Sequence, residues 1–483
     1  MYPQYLRDKA VDVLFRRPVE PDQFNQYTLG RALDKLYEAG LDTIFMTVAI
    51  AVFKQFSITR KFLRIDTTTF SVYGSYNGYS EELQEEPTPI KITYGHPKNN
   101  RTDLKQFVLS LVMSGNIPLL AQALSGNIAD VKYFLEVTKK LVEQLSEGIK
   151  DTQYFVYDSA VYSRKNITEL SSLIKWITRV PERIKRCRQL LQEANRDELE
   201  PTDIDGYRIK SVNVSLWGVK QRWLIVFSEK AYNRESETLL RNVEDEAKSS
   251  KKAVWHLSNK EFTSREAALS ELKRTAESWK YHKIASYRVI ERLKKTNGRG
   301  RPTKRGDDTR TVYMIQAEVE RDEERISREL SRKGKFIIGT NELSHEQLSD
   351  IELLKAYKDQ YKVERGFRFL KDKTFFANSV YLKSERRIEA LMMVMGLALL
   401  VYGLTEWILR KRLVERNEYV ADQKGRPTQK PTLKWIFFKF SGVAVVYKVS
   451  DGRCERLGIV NRTDEQHKVL QVLGSEYLSV YGW

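Results

Sequence analysis

Residues Tyr357–Lys371 read Y-K-D-Q-Y-K-V-E-R-G-F-R-F-L-K, and the rest of the chain is organised around them. At about 100° per residue, one side of a helix over this stretch carries polar and charged side chains. They are Tyr357, Gln360, Glu364, Arg368 and Lys371. Val363, Phe367 and Leu370 form an apolar stripe beside them, which predicts a face packed against a core. A solvated surface helix with salt bridges is the competing interpretation.

Two further segments place an aspartate inside or at the end of a predicted strand. Lys61–Tyr73 reads K-F-L-R-I-D-T-T-T-F-S-V-Y with Asp66 at its centre, and Tyr154–Tyr162 reads Y-F-V-Y-D-S-A-V-Y with Asp158 after four strand-forming residues. A carboxylate in an apolar strand is costly unless it is paired or binds a metal. Together with Glu364, the two aspartates provide the three oxygen ligands of an Asp-Asp-Glu metal site.

Composition indicates a folded protein with a polyanionic partner. The chain has 483 residues, 41% of them hydrophobic, and a formal net charge of +18. Such an excess of basic residues favours nucleic acid over a merely soluble basic protein. Cys187 and Cys454 are the two cysteines and lie far apart, so neither a disulfide framework nor a zinc cluster is expected.

One apolar segment, Ala390–Leu404, is a candidate membrane span. It is shorter than the roughly 20 residues that a spanning helix needs, and charged residues follow it. A buried core helix is the better interpretation. Met1–Lys9 lacks the apolar region of a signal peptide. The sequence therefore predicts no membrane partner and a cytoplasmic protein that associates with the nucleoid when bound to DNA.

Several motifs resemble the DDE transposases of bacterial insertion sequences. They are D-T-T at Asp66, D-S-A at Asp158, E-R-G-F-R-F-L-K at Glu364, and longer matches at Gly30–Gly40, Gly95–Gln106 and Val363–Asp372. More narrowly, the chain is similar to the group with the Tyr/Arg/Glu/Lys signature Y-x2-R-x3-E-x6-K (the IS-four-like superfamily). Tyr357, Glu364 and Lys371 stand at the signature spacings, and Gln360 stands where the arginine is usual.

The order of predicted strands and helices fits an α/β, RNase H-like fold, in which a mixed sheet brings acids from separate segments to one edge. The resemblance implies that a large insertion domain interrupts this catalytic core. We predict a helical N-terminal region at 1–60, core at 61–181, insertion domain at 182–333, core with the Glu364 helix at 334–413 and a C-terminal region at 414–483. Residues 1–60 would bind DNA ends or dimerise, and truncation of this region is an open alternative.

The resemblance implies that Asp66, Asp158 and Glu364 are catalytic and bind two Mg²⁺ ions, which Mn²⁺ could replace. The expected reaction is cleavage of double-stranded DNA at element ends followed by strand transfer to target DNA, performed by a homodimer on DNA. Four residues would bind DNA phosphates: Tyr357, Gln360, Arg368 and Lys371. A salt bridge with Glu364 is an equal alternative for Arg368. An RNase H-like nuclease without strand transfer, or an inactive DNA-binding relic, are the alternative functions.

A basic segment of the predicted insertion domain, Arg292–Arg310, contains eight lysines and arginines, six of them at 294–305 around Gly298, Gly300 and Pro302. It is either a solvated loop or an arm that contacts DNA phosphates, and the sequence does not decide between them.

Overall fold

Runs of β-branched and aromatic residues form the strands of the first half of the chain. The computed structural model describes residues 2–7, 9–17, 19–74, 76, 88–98, 100–128, 130–145, 153–295, 309–372, 382–450 and 453–482. The chain divides into two compact units. The first comprises Met1–Thr178, Trp217–Val219 and Lys355–Trp483, and the second comprises Arg179–Leu216 and Lys220–Leu354.

The first unit begins with helices and continues into a sheet. Its helices are α1 (Tyr2–Arg7), α2 (Val11–Phe15), α3 (Gln26–Glu38), α4 (Leu41–Gln55), α5 (Asp130–Leu145) and α6 (Arg164–Leu173). Its strands are β1 (Phe62–Val72), β2 (Lys105–Ser114), β3 (Ile117–Leu124), β4 (Tyr154–Tyr157) and β5 (Trp176–Val180). Strand β1 lies within Lys61–Tyr73, where the sequence predicted a strand, and β2 and β3 form a hairpin around Ser114-Gly115-Asn116.

The strand order of this sheet is β3-β2-β1-β4-β5. The pairs β3–β2 and β2–β1 are antiparallel, whereas β1–β4 and β4–β5 are parallel. Ile65 and Tyr157 are fully buried, so β1 and β4 lie at the centre of the core. The sheet is mixed, and it has the RNase H-like arrangement that the sequence predicted.

The second unit is formed by the segment between β5 and the Glu364 region. Its elements are α7 (Lys185–Glu193), β6 (Glu200–Pro201), β7 (Tyr207–Leu216), β8 (Val219–Ser228), α8 (Glu229–Ser258), α9 (Arg265–Glu277), β9 (His282–Lys295), β10 (Thr309–Arg321), α10 (Glu323–Arg332) and β11 (Lys335–Thr340). Strands β11, β8, β7 and β6 are neighbours in that order, and β9 and β10 form a separate antiparallel pair. Much of the basic segment Arg292–Arg310, at 296–308, lies outside the described residues.

The chain then returns to the first unit. The remaining elements are α11 (Asp350–Lys358), α12 (Tyr361–Lys371), α13 (Glu385–Glu415), β12 (Val420–Ala421), β13 (Pro427–Thr428), α14 (Leu433–Phe440), β14 (Ala444–Ser450), β15 (Arg453–Val460), α15 (Asp464–Leu473) and α16 (Ser475–Val480). The finer domain boundaries predicted at 60, 181, 333 and 413 stay predictions.

Helix α13 is long and apolar enough to cross a bilayer by length and composition. It packs inside the first unit instead. A Cβ added to Gly403 would lie 2.3 Å from the backbone oxygen of Asn116, and one added to Gly396 would lie 2.5 Å from the Cβ of Ala121. These contacts bring α13 directly onto the β2–β3 hairpin, as a core helix does.

The prediction of a single helix face from Tyr357 to Lys371 is wrong in one respect, because the helix is interrupted after Lys358. The buried Arg64 guanidinium donates to the carbonyl of Ala356 at 3.4 Å. In a continuous α-helix that carbonyl would accept from the amide of Gln360. The Gln360 amide donates to Tyr357 O instead, at 3.0 Å. Tyr357 therefore ends α11, while Glu364 belongs to α12.

Candidate active site

Asp66 lies in the middle of β1, and its side chain is 17% exposed. Its Oδ1 accepts a hydrogen bond from the backbone amide of Thr67 at 2.7 Å. The ammonium of Lys98 lies 3.7 Å from the same oxygen. The ammonium of Lys98 therefore offsets part of the free-energy cost of burying the Asp66 carboxylate in the strand.

Asp158 follows the last residue of β4 and is exposed. Its carboxylate accepts from the amide of Ser159 at 2.6 Å and begins a short 3-10 turn, Ser159–Val161. The hydroxyl of Thr178 on β5 donates to the carbonyl of Asp158 at 3.0 Å. The backbone at Asp158 is therefore held from the neighbouring strand.

Strands β1 and β4 bring the two aspartates together. Ile65 and Tyr157 are opposite each other in the parallel register, and Asp66 and Asp158 come next on each strand. Neighbouring strands are roughly 4.8 Å apart, and successive side chains leave opposite faces of a sheet. The two carboxylates therefore start from adjacent positions on the same face.

Helix α12 is packed on the sheet by the stripe that the sequence predicted. Val363, Phe367 and Leu370 are all buried. At Gly366 an added Cβ would lie only 2.9 Å from Met113 Sδ and 3.2 Å from Leu111 Cδ1, both on β2. Gly366 therefore marks the closest approach of α12 to the sheet, and a solvated surface helix is excluded.

Two polar side chains attach α12 to β1 on either side of Asp66. One belongs to Gln360, the N-cap of the helix, and the other to Lys371, its last residue. Gln360 Nε2 donates to the carbonyl of Ile65 at 3.3 Å. Lys371 Nζ donates to Thr68 Oγ1 at 2.8 Å and to Thr69 O at 3.0 Å. Glu364 lies between Gln360 and Lys371 at helical spacing, so it leaves α12 on the side that faces β1.

The ammonium of Lys371 is partly buried and lies near a second positive charge. Burial lowers the pKa of its ammonium, and the nearby positive charge of Lys98 lowers it further. Both effects favour the approach of an anion, which would restore the charged form.

Glu364 and Arg368 remain accessible from solvent. Within the described part of the chain, neither side chain makes a hydrogen bond or ion pair, so the predicted alternative of a salt bridge between them is not formed. Arg368 lies with Lys362, Arg365 and Lys434 along a cavity of about 250 Å³. Asp372 and Glu406 line the same cavity, so basic and acidic side chains both face it.

The donor set fits a hard divalent cation, because all three candidate ligands are carboxylates. Among the described residues, however, no group of three histidine, cysteine, aspartate or glutamate side chains is arranged closely enough to hold an ion. Asp66 and Asp158 are neighbours by register, and Glu364 belongs to a separate element, α12. The ammonium of Lys98 beside Asp66 shows that this edge of the sheet attracts positive charge.

Lys98 contacts Asp66 but is not among the candidate residues that the sequence patterns single out. It belongs to the G-H-P-K-N-N-R-T-D-L-K-Q segment at Gly95–Gln106. That segment was one of the long motif matches, but no periodicity assigned its lysine to a face. The match itself was the available signal.

Comparison with known proteins places the chain in a family. Residues 1–50 match a domain of unknown function (DUF4277), and residues 59–401 match a transposase DDE domain. No curated protein matches the chain.

Two solved structures show a remote likeness. A Mos1 transposase paired-end complex with the left transposon end is 12% identical over 32% of this chain and 42% of that chain, with a TM-score of 0.17. A piggyBac transposase synaptic complex with hairpin DNA is 7% identical over 74% of this chain and 48% of that chain, with a TM-score of 0.30. The matched part spans less than half of either solved chain, and neither superposes closely.

The narrower group with the Tyr/Arg/Glu/Lys signature stays a prediction. The DDE domain match itself extends over well more than half of the sequence and includes Asp66, Asp158 and Glu364. The chain belongs to the transposase DDE domain family.

Proposed function

We propose that this protein is a DNA transposase that cleaves phosphodiester bonds at the ends of its element and joins them to target DNA. The adjacent positions of Asp66 in β1 and Asp158 at the end of β4 support this proposal most directly. The two aspartates follow paired residues of β1 and β4, and Gln360 and Lys371 attach the glutamate helix to β1 around Asp66.

Family membership implies dependence on a divalent metal ion. When bound, two Mg²⁺ ions would activate an oxygen nucleophile and stabilise the leaving oxygen. Asp66, Asp158 and Glu364 would hold these ions through their carboxylates. Mn²⁺ would replace Mg²⁺, since both accept carboxylate ligands.

The residues beside the acids would bind double-stranded DNA. Lys371 and Arg368 supply positive charge, and Gln360 and Tyr357 supply neutral donors for phosphate oxygens. The net charge of +18 supplies the longer-range attraction. Since two element ends are joined in one reaction, we propose that a homodimer assembles on DNA and that the protein acts in the cytoplasm at the nucleoid.

Substitution of each acid tests the proposal. Asp66→Asn, Asp158→Asn and Glu364→Gln should each reduce cleavage and strand transfer below detection while DNA affinity, measured by mobility shift, stays within about threefold, because phosphate contacts dominate binding. Glu415→Gln is the control, because its carboxylate is exposed on α13 far along the chain from the three acids.

A variant that cleaves at the full rate in Mg²⁺ would remove its residue from the site. Cleavage without strand transfer in the unmodified protein would identify a nuclease, and DNA binding without cleavage would identify a relic.

A further inference from the structure

Lys98 forms an ion pair with Asp66. Its Nζ donates to the carbonyl of Thr67 at 2.6 Å and lies 3.5 Å from Thr67 Oγ1 and 3.7 Å from Asp66 Oδ1. Its side chain is 47% exposed. The ammonium is thus placed at the acid while one side of it remains open to solvent.

The backbone fixes the position of this lysine. The amide of Lys98 donates to Thr69 Oγ1 at 3.1 Å. The residues before it are joined to β2 by two hydrogen bonds between Thr93 and Gln106. Lys98 is therefore delivered to β1 by an anchored segment and not by the chance conformation of a long side chain.

Glycine makes this anchoring possible. A Cβ added to Gly95 would lie 2.2 Å from the carbonyl oxygen of Gly126, and one added to Gly126 would lie 2.0 Å from the carbonyl oxygen of Gln106. Only residues without a side chain allow the three backbones to approach this closely. The segment that carries Lys98 is therefore built into the fold.

Lys98 and Lys371 approach the same three residues of β1, Thr67–Thr69, and are near enough for their charges to interact. A metal ion at Asp66 would repel the ammonium of Lys98, and a phosphate group beside this lysine would attract it.

We propose that Lys98 is an active-site lysine that pairs with Asp66 in the free protein and contacts a phosphate of the DNA when Asp66 binds metal. This inference rests on the proposed function. It assigns to one side chain two partners of the same charge, a carboxylate before the site is loaded and a phosphate afterwards. A lysine with only a structural role would donate to Thr67 O, and its removal would change neither metal affinity nor DNA affinity.

The first measurement is Mn²⁺ binding to the whole protein without DNA, followed by the loss of the free-ion electron paramagnetic resonance signal. Lys98→Met should tighten Mn²⁺ binding about 3- to 10-fold, because a positive charge near Asp66 is removed. Lys98→Arg should keep the affinity of the unmodified protein. Lys139→Met is the matched control, since Lys139 is equally exposed and pairs with Glu169 at 3.0 Å, away from the proposed site.

The second measurement is DNA affinity as a function of salt. Lys98→Met should weaken DNA binding and reduce the slope of log Kd against log salt concentration by about 0.9, as the loss of one phosphate contact predicts. Metal and DNA affinity thus change in opposite directions, which simple unfolding would not produce.

Unchanged Mn²⁺ affinity or an unchanged salt slope in Lys98→Met would overturn the inference. If Asp66→Asn abolishes Mn²⁺ binding in the same assay, the proposed metal site survives that result. If Asp66→Asn changes neither Mn²⁺ binding nor DNA cleavage, the proposed function fails together with the inference.

Discussion

Ile65 of β1 lies opposite Tyr157 of β4 in a parallel register, and the next residue on each strand is an aspartate. Two carboxylates on adjacent strands repel each other unless a cation or proton lies between them. The sheet therefore carries an electrostatic cost at this edge that a divalent ion would relieve. The same register makes the distance between the two positions testable.

A cysteine pair tests the register. In a background without native cysteines (Cys187→Ser, Cys454→Ser), Asp66→Cys with Asp158→Cys should form a disulfide under mild oxidation. Adjacent strands place Cα atoms roughly 4.8 Å apart, and disulfides need about 4.4–6.8 Å. Thiol titration of the denatured protein and a mobility change on non-reducing gels measure the bond.

Each single-cysteine variant is the control, because neither can form the intramolecular bond. If the double variant folds and keeps two free thiols after oxidation, Asp66 and Asp158 are not neighbours. The proposed metal site would then lack its structural support.

The local patterns of the sequence predicted the sheet and the buried face of α12 well. The strand from Phe62 to Val72 lies within the predicted segment Lys61–Tyr73, and the stripe of Val363, Phe367 and Leu370 is buried. Both patterns repeat within a single helix or strand, and the spacing of their apolar residues directly predicts which face is buried. The three acids could be named because each lies in such a pattern and in a family motif.

Contacts between distant residues could not be predicted in this way. Arg64 interrupts the helix at Ala356 from almost 300 positions away, and no local rule reveals which carbonyl a buried guanidinium will occupy. Lys98 reaches Asp66 from an irregular segment whose path depends on the close approach of Gly95 and Gly126. A single sequence gives residue types at such positions but not their partners.

Glu389 should make stability depend on pH near neutrality. Burial, with smaller contributions from the negative charges of Asp42 and Glu385, raises its pKa to about 7, although Ile90 donates to it at 2.9 Å. Because the folded state holds this proton more tightly than the unfolded state, the contribution of Glu389 to stability is full below about pH 4.5 and is lost as pH rises to about 7. The loss is at most about 3 kcal/mol, since one pH unit between the two pKa values is worth about 1.4 kcal/mol.

Glu389→Gln removes the titrating group and keeps an acceptor for Ile90. Urea unfolding at pH 5, 6, 7 and 8 should show the variant matching the unmodified protein at pH 5 and exceeding it at pH 8. Glu415→Gln, at an exposed position on α13, should leave the pH profile unchanged. Parallel profiles for Glu389→Gln and the unmodified protein would show that Glu389 titrates normally.

Glu406 is the centre of a buried polar network. Its side chain is 2% exposed and contacts four polar groups. Arg410 lies at 2.9 Å, Arg365 at 3.6 Å, and Asn116 Nδ2 and the amide of Leu433 donate at 3.0 Å each. Glu406→Ala should cost about 3 kcal/mol of unfolding free energy, because it leaves two arginines and two donors without their acceptor.

Chemical denaturation measures this cost against Glu415→Ala. Glu415 pairs with Lys411 at 3.8 Å on the exposed side of the same helix, and removal of such a pair should cost less than about 0.5 kcal/mol. Equal losses for the two variants would show that the buried network does not stabilise the fold.

Gly366→Ala should affect both stability and cleavage, because Gly366 is where α12 meets the sheet. The added Cβ would lie 2.9 Å from Met113 Sδ and 3.3 Å from Leu399 Cδ2, so the sulfur or the helix must move. Overpacking of this kind costs about 1–3 kcal/mol. A shift of α12 also moves Glu364 relative to Asp66, and we expect cleavage to fall at least about tenfold, since a displacement of about 1 Å is enough to lose two orders of magnitude.

Gly442→Ala is the matched control, because an added Cβ there meets no atom within 4 Å. Cleavage rate in saturating Mg²⁺ and the urea midpoint should both stay unchanged in this control. If Gly366→Ala lowers the midpoint but cleaves at the full rate, Met113 has absorbed the strain and the position of α12 does not limit catalysis. If it changes neither quantity, the close packing of α12 on β2 is itself wrong, and with it the placement of Glu364 beside β1.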